Sequence, residues 1–447
     1  MTLPSMLATN LLIIRDLKQF LFSVSTNKRH LQQFSLQSKA FKRRRILTFE
    51  RMAVFMVQLC KKTLKVELDD FFDSINLVSC TKAAFCMQRI NFDPAFFYCW
   101  NRVLCESFYK HCQSEVKRWR GFRLIGCDGS NVALIRKPAL EKFFGGQSNQ
   151  EGSFVQAKTF YATDILNNLI LYPQMVPYRY GELPAAYDML TQINFPSDML
   201  LIFDRNFSNY KIIALLTMRE QPLKYVIRAK DSLNIVRDFL KTGKREQIAE
   251  MKPTQTIRQG LKRCGFIISP EQSIKTRLIK VELKNGTVEV LMTNLLKEEG
   301  YLHREFKELY SKRWGVETNI GFQKNILRLE ALSGHSPISV LQDFYATVFT
   351  ANLHSILIRP AQREIEKETS KSKYPLKVNN NLSFGKLKKV IAQIFLSRKI
   401  KKLLHDLHQY FIRDPLPIRV GRCFPRIRKN PLSKNKHRYY TNYKPAF

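Results

Sequence analysis

Four side chains in one stretch of this chain have the types and spacing to grip a charged backbone beside a metal ion: Tyr310, Arg313, Glu317 and Lys324. At about 100° per residue they fall within an arc of about 60° on a helix, so one face presents a hydroxyl, two cations and a carboxylate. Taken alone, that face equally suits a solvated amphipathic helix, because Lys, Arg and Glu are common on helix surfaces. Two aspartates elsewhere bear on the choice. Asp128 ends the apolar run Phe122–Cys127 and precedes Gly129-Ser130, and Asp204 ends Met199–Phe203 in the same manner. A carboxylate at the end of a buried strand is costly to desolvate unless it is paired or metal-bound.

Each aspartate also has an ordinary explanation, Asp128-Gly129 as a turn and Asp204 as the cap of a following helix. The joint pattern is more specific. Phosphodiester cleavage needs an activated nucleophile and a stabilised leaving oxygen, which two divalent ions about 3.5 to 4 Å apart provide. Mg²⁺ takes only one or two protein carboxylates per ion, so three acids, Asp128, Asp204 and Glu317, can serve a pair.

The elements that must position these residues are legible in the apolar pattern. Short runs at Phe122–Cys127, Phe154–Ala162, Leu169–Val176, Met199–Phe203 and Leu223–Ala229 predict strands. Gly181–Ile193 and Ser208–Met218 predict helices between them, giving a mixed α/β domain. Arg277–Asn294 predicts a hairpin turning at Asn285-Gly286. Lys307–Leu329 predicts one long helix carrying the four-residue face, and Ile338–Ile358 an apolar helix after it.

The chain before Phe122 reads as helical and basic, with apolar positions at helical spacing in Leu11–Phe22, Ile46–Leu64 and Phe96–Tyr109. The cluster Lys39, Lys42, Arg43, Arg44 and Arg45, and a short helix capped by Ser79 or Thr81, suit DNA contact but equally a solvated charge run and a core helix. Pro360 and the charged stretch Arg363–Lys373 mark a boundary, followed by a basic helix over Gly385–Leu407. From Pro415 to Phe447 the chain carries nine Lys and Arg and no acid, with interleaved aromatics, which predicts a poorly ordered tail on nucleic acid.

Composition agrees with a polyanionic partner. The 447 residues hold 74 Lys and Arg against 37 Asp and Glu, a net charge of +37, and each phosphate neutralised releases condensed counterions. The basic residues are spread along the chain and form no juxtamembrane cluster, and no apolar run is long enough to cross a bilayer. No secretory signal is evident, so a cytoplasmic protein is expected. The nine cysteines contain no Cys-x-x-Cys pair and read as reduced thiols; Cys105, His111 and Cys112 match no common zinc spacing.

At these residues the chain resembles the DDE transposases of bacterial insertion sequences, specifically the insertion-sequence-four family with its Tyr-Arg-Glu-Lys signature. The resemblance runs from about residue 70 to 360. It is carried by Asp128-Gly-Ser130, Asp204-Arg205, the strand Val290–Asn294, and Tyr310, Arg313, Glu317 and Lys324. It implies a ribonuclease-H-like catalytic core interrupted by a β-rich insertion. Around the core lie a helical, basic N-terminal DNA-binding region at 1–119 and a basic C-terminal helix and tail at 361–447. The core would occupy 120–229 and 298–360, and the insertion 230–297.

By the same carry-over, Asp128, Asp204 and Glu317 are the metal-binding catalytic triad for two Mg²⁺ ions, with Mn²⁺ as a substitute. Tyr310, Arg313 and Lys324 would hold DNA phosphates. The partners implied are double-stranded DNA, as terminal inverted repeats and target, and a second copy of the chain in a synaptic homodimer. Relatives that form hairpin ends carry a tryptophan in the insertion, whereas Trp100, Trp119 and Trp314 all lie outside 230–297; Val288 and Glu289 stand near the corresponding place, with Phe266 as the aromatic alternative. The competing expectations are a catalytically inactive DNA-binding regulator derived from a transposase, and a related nuclease or resolvase.

Overall fold

The computed structural model describes residues 3–42, 45–58, 61–149, 152–283, 285–368 and 372–419. The chain divides into two compact units.

One unit, Lys117–Asn131 with Lys158–Ile320, is built on a mixed sheet. Its strands are β1 (Arg123–Ala133, as far as Asn131), β3 (Gly152–Asp164, from Lys158 on), β4 (Leu169–Pro177), β5 (Met199–Phe203), β6 (Lys224–Arg228), β7 (Glu246–Met251), β8 (Ile274–Glu282) and β9 (Val288–Thr293); the short β2 (Gly146–Asn149) and the start of β3 with which it pairs belong to the other unit. Their order is β3-β1-β5-β6-β9-β8-β7, with β4 on the outer side of β3. The central β1, β5 and β6 run parallel, while β9, β8 and β7 are added antiparallel. The parallel strands are the apolar runs of the sequence, as sheets covered on both faces require. Two predicted helices follow, Glu182–Gln192 and Tyr210–Thr217.

The hairpin of the sequence is present as β8 and β9, with Gly286 at φ +77° in the turn. It belongs to the main sheet: β9 pairs with β6, Val226 opposite Thr293. Asn294 completes that edge, accepting from the Tyr225 N–H at 3.0 Å and donating to the Leu223 carbonyl at 2.9 Å. Leu124, Leu200, Ile202, Val226, Ile279 and Leu291 bury one face of the sheet together with Phe306 and Leu309 of the helix Phe306–Ser311.

The long helix expected over Lys307–Leu329 is broken into Phe306–Ser311 and Trp314–Asn325. Between them the bonds tighten to i→i−3 closures: the N–H groups of Arg313, Gly315 and Val316 donate to Tyr310, Lys312 and Arg313. This turn is wound more tightly than an α-helix, so Tyr310 does not share one regular face with the other three residues. The reason is local packing. A Cβ on Gly315 would stand 2.5 Å from Ile165, so the chain presses its backbone onto that side chain.

The other unit, residues up to Val116 with Val132–Ala157 and those from Gly321 onward, is helical. Leu3–Thr26, Phe49–Gln58, Ala95–His111, Pro337–Leu357, Asn380–Leu396 and Ile400–Ile412 form its frame. Trp100 stacks on Phe349 with centroids 4.2 Å apart, and its indole donates to the Leu17 carbonyl. Arg89 is buried and paired with Asp343 at 2.8 Å and with Gln342.

Thr81 caps Lys82–Arg89, accepting from the Ala84 N–H. The single helix expected over Gly385–Leu407 is two, Asn380–Leu396 and Ile400–Ile412. Pro360 does not end the helical region; it sits in the first turn of Arg359–Glu368, where its missing N–H is not needed. His111 pairs with Asp16 at 2.8 Å, which engages one of the three side chains considered for zinc. Arg43, Arg44 and most of the C-terminal tail lie outside the described residues. Among the described residues no helix is long and apolar enough to cross a membrane.

Candidate active site

Strand pairing brings the two aspartates together. Cys127 pairs with Phe203 as the last partners of β1 and β5, so Asp128 and Asp204, one residue on in each chain direction, leave adjacent parallel strands side by side. β1 then continues past Asp128 to Ala133, so Asp128 lies within the strand instead of ending it. Asp128 Oδ1 accepts from the Gly129 N–H at 2.8 Å. Asp204 Oδ1 accepts from the Asn206 N–H at 2.8 Å and caps the turn Arg205–Phe207. The ordinary capping role therefore exists alongside whatever else the carboxylate does.

Glu317 reaches this end of the sheet because a helix can approach β1 at Gly126. A Cβ there would stand 2.2 Å from Val316 and 2.8 Å from Ile165, far inside contact distance, so only glycine admits the helix Trp314–Asn325 this closely. Arg313 then joins the elements. Its Nη1 donates to Asp128 Oδ2 at 3.1 Å and its Nη2 to Glu317 Oε1 at 2.9 Å. Arg313 Nε is buried without a hydrogen-bond acceptor among the described residues.

Burial pushes the Asp128 carboxyl up to about 6; the Gly129 N–H and Arg313 oppose the shift, and Asp204 and Glu317 add to it. A carboxylate so raised favours a nearby cation. Tyr310 is packed against the apolar cluster, and burial pushes its phenol up to about 12. The Arg313 guanidinium lies 5.8 Å from the Tyr310 ring and 5.4 Å from that of Trp314, which is 54% exposed. Near Tyr310, Glu289 is buried and paired with Arg228 at 2.9 Å.

Lys324 is assigned to the helical unit. Its Nζ lies 3.9 Å from Glu330, whose carboxylate accepts from the Ala133 N–H, and burial lowers the ammonium below its ordinary range.

The sequence reasoning missed Glu182. It lies over the residue after Asp128, since a Cβ on Gly129 would stand 2.5 Å from its Cγ, and it accepts from Lys158 at 3.4 Å and from the Asn206 side chain at 3.5 Å. It therefore touches both aspartate-bearing turns. The available signal was weak, a Gly-Glu pair opening the crossover helix.

As placed, no group of three or more His, Cys, Asp and Glu among the described residues could hold a metal ion. Two of the expected ligands share the guanidinium of Arg313 instead. The donor chemistry nevertheless suits a hard divalent cation, with carboxylate oxygens at the end of a buried sheet and a raised Asp128 that a cation would relieve.

Residues 127–353, just over half of the chain, match the family model described as Transposase DDE domain. The chain is also similar to piggyBac transposase in a cryo-EM synaptic complex with hairpin DNA, at 12% identity and a TM-score of 0.42, over 98% of this chain and 91% of that one. No curated protein matches the chain.

Proposed function

Because the chain belongs to the transposase DDE domain family, we propose that it is an insertion-sequence transposase of the insertion-sequence-four type. It would cut the terminal inverted repeats of its element and join the freed 3′-hydroxyl to target DNA. The observation that carries this reading is the register of Cys127 with Phe203, with Glu317 tied to Asp128 through Arg313. The strand order β4-β3-β1-β5-β6, with β1, β5 and β6 parallel, supports a ribonuclease-H-like core. On the same reading residues 230–297 are an insertion, and the helical N-terminal region and basic C-terminal region contact DNA.

Asp128, Asp204 and Glu317 would hold two Mg²⁺ ions, which when bound activate the attacking oxygen and stabilise the leaving one. The chain's own residues prepare that step. Gly126 lets Glu317 approach the strands, and the Gly129 N–H orients the Asp128 carboxylate. Arg313 neutralises part of the carboxylate charge. Tyr310 and Lys324 complete the proposed phosphate contacts, and the net charge of +37 suits duplex DNA and a homodimer assembled upon it.

The test is cleavage and strand transfer on DNA ends with Mg²⁺. Asp128→Ala, Asp204→Ala and Glu317→Ala should each abolish cutting while leaving DNA binding intact, and undiminished cutting by the three variants would falsify the proposal. Metal-independent binding by the wild-type chain without cleavage indicates the regulator. Cutting with no preference for repeat ends and no joining indicates the nuclease.

A further inference from the structure

The helical unit contains a cavity of about 690 Å³ whose lining comes from Gln58 and the segments 61–74, 326–328 and 381–389. Its volume is that of a small-ligand pocket. Lys61, Lys62, Arg328, Lys388 and Lys389 line it, against the carboxylates of Glu67, Asp70 and Asp73. Two of those acids are already engaged: Glu67 accepts from the Lys62 backbone N–H, and Asp70 pairs with the Lys62 ammonium at 3.2 Å. With Lys62 and Asp70 paired to each other, Lys61, Arg328, Lys388 and Lys389 stand against Glu67 and Asp73, and Lys388 donates to the Val57 carbonyl, so the balance is cationic.

Backbone strain is concentrated on the same wall. Lys61 and Arg328 hold φ of +70° and +49°, a left-handed conformation that is uncommon for residues other than Gly, Asn and Asp and costs about 1 kcal/mol or more. Both are basic and both line the cavity. Leu327, Phe384 and the amides of Gln58 and Asn381 also line it, with the Gln58 carbonyl oxygen accepting from the Ala392 N–H. Cations, an aromatic edge and amides are the groups that take a phosphate, a base face and a base edge respectively.

We propose that this cavity binds one unpaired nucleotide of a DNA strand, phosphate toward Arg328 and Lys389 and base toward Phe384. The inference rests on the DNA reading above and goes beyond it, because no residue of the proposed catalytic set lines the cavity. A duplex is too broad for a pocket of this volume, so the occupant is a frayed or overhanging nucleotide.

The test measures binding of the full chain without divalent metal, so that cleavage plays no part. The probes are a blunt duplex and the same duplex with a five-nucleotide 3′ overhang, followed by fluorescence anisotropy. Arg328→Glu and Lys389→Glu change exposed positions, and Lys401→Glu, exposed and outside the cavity, controls for net charge. Each pocket variant is expected to weaken overhang binding at least fivefold more than the control does. Its log K against log salt slope should fall by about 1, and blunt-duplex binding should change no more than with the control. Equal losses on both probes, or losses no greater than the control's, overturn the pocket. Millimolar deoxyadenosine monophosphate, which carries the same phosphate and base, is expected to displace the overhang from the wild type but not the blunt duplex, and failure to displace it also overturns the pocket. A wild-type chain that binds neither probe sinks the transposase reading as well, whereas intact binding with intact pocket variants sinks the pocket alone.

Discussion

Arg313 donates to Asp128 at 3.1 Å with one terminal nitrogen while the other bonds Glu317 at 2.9 Å. The guanidinium thus serves as an internal counter-cation for two of the proposed metal ligands. Its removal leaves two partly buried carboxylates facing each other. Arg313→Gln should destabilise the metal-free protein by about 1–3 kcal/mol, below the loss of a fully buried pair because Glu317 keeps some solvent contact. Thermal melts in chelator and in Mg²⁺ would check this. The variant should recover more stability from Mg²⁺ than the wild type does, and equal gains would refute the counter-cation role.

Asp128 carries a pH signature of its own. Its carboxyl titrates near 6 in the fold, above the ordinary range, chiefly through burial. The folded state therefore holds a proton that the unfolded chain releases between about pH 4 and 6, so its contribution to stability is present below that window and lost as pH rises through it. In metal-free protein, Asp128→Asn should gain on the wild type by about 1–3 kcal/mol between pH 4 and pH 7. Denaturant melts of both proteins across that range would measure the difference, and parallel pH profiles would contradict the assignment.

Gly126 is the gap through which the Glu317 helix reaches β1. Gly126→Ala must push Val316 and Ile165 aside, overpacking that costs about 1–3 kcal/mol. Cleavage should fall more steeply than stability, since the displaced backbone carries Glu317. Paired measurements of denaturation midpoint and cleavage rate would separate the two, and a fall in stability alone would mean that Glu317 is not positioned by this contact.

Glu182 holds both aspartate-bearing turns through Gly129 and Asn206. Glu182→Gln keeps the shape and the contact with Asn206 but loses the charge opposite Lys158. If the charge matters to the metal, the affinity for Mn²⁺ measured by calorimetry should drop severalfold at unchanged melting temperature. Unchanged affinity would leave Glu182 as an ordinary first-turn acid of its helix, favoured there by the helix dipole.

Local sequence settled the kind of several elements. The apolar runs around Met199–Phe203 and Leu223–Ala229 became buried parallel strands, and Asn285-Gly286 turned the hairpin, because side-chain periodicity and turn chemistry act within a few residues. The carboxylate types were equally plain, with Asp128 after Phe122–Cys127 and Asp204 after Met199–Phe203. Tertiary structure decided what they meet. The register of Cys127 with Phe203 set the aspartates side by side, packing of Gly315 against Ile165 broke the helix that the regular arc assumed, and Glu182 arrived from a crossover with no motif to announce it. Arg313, whose spacing suggested a phosphate grip, is held by Asp128 and Glu317, because a guanidinium's partner is fixed by whichever carboxylates long-range packing brings within reach.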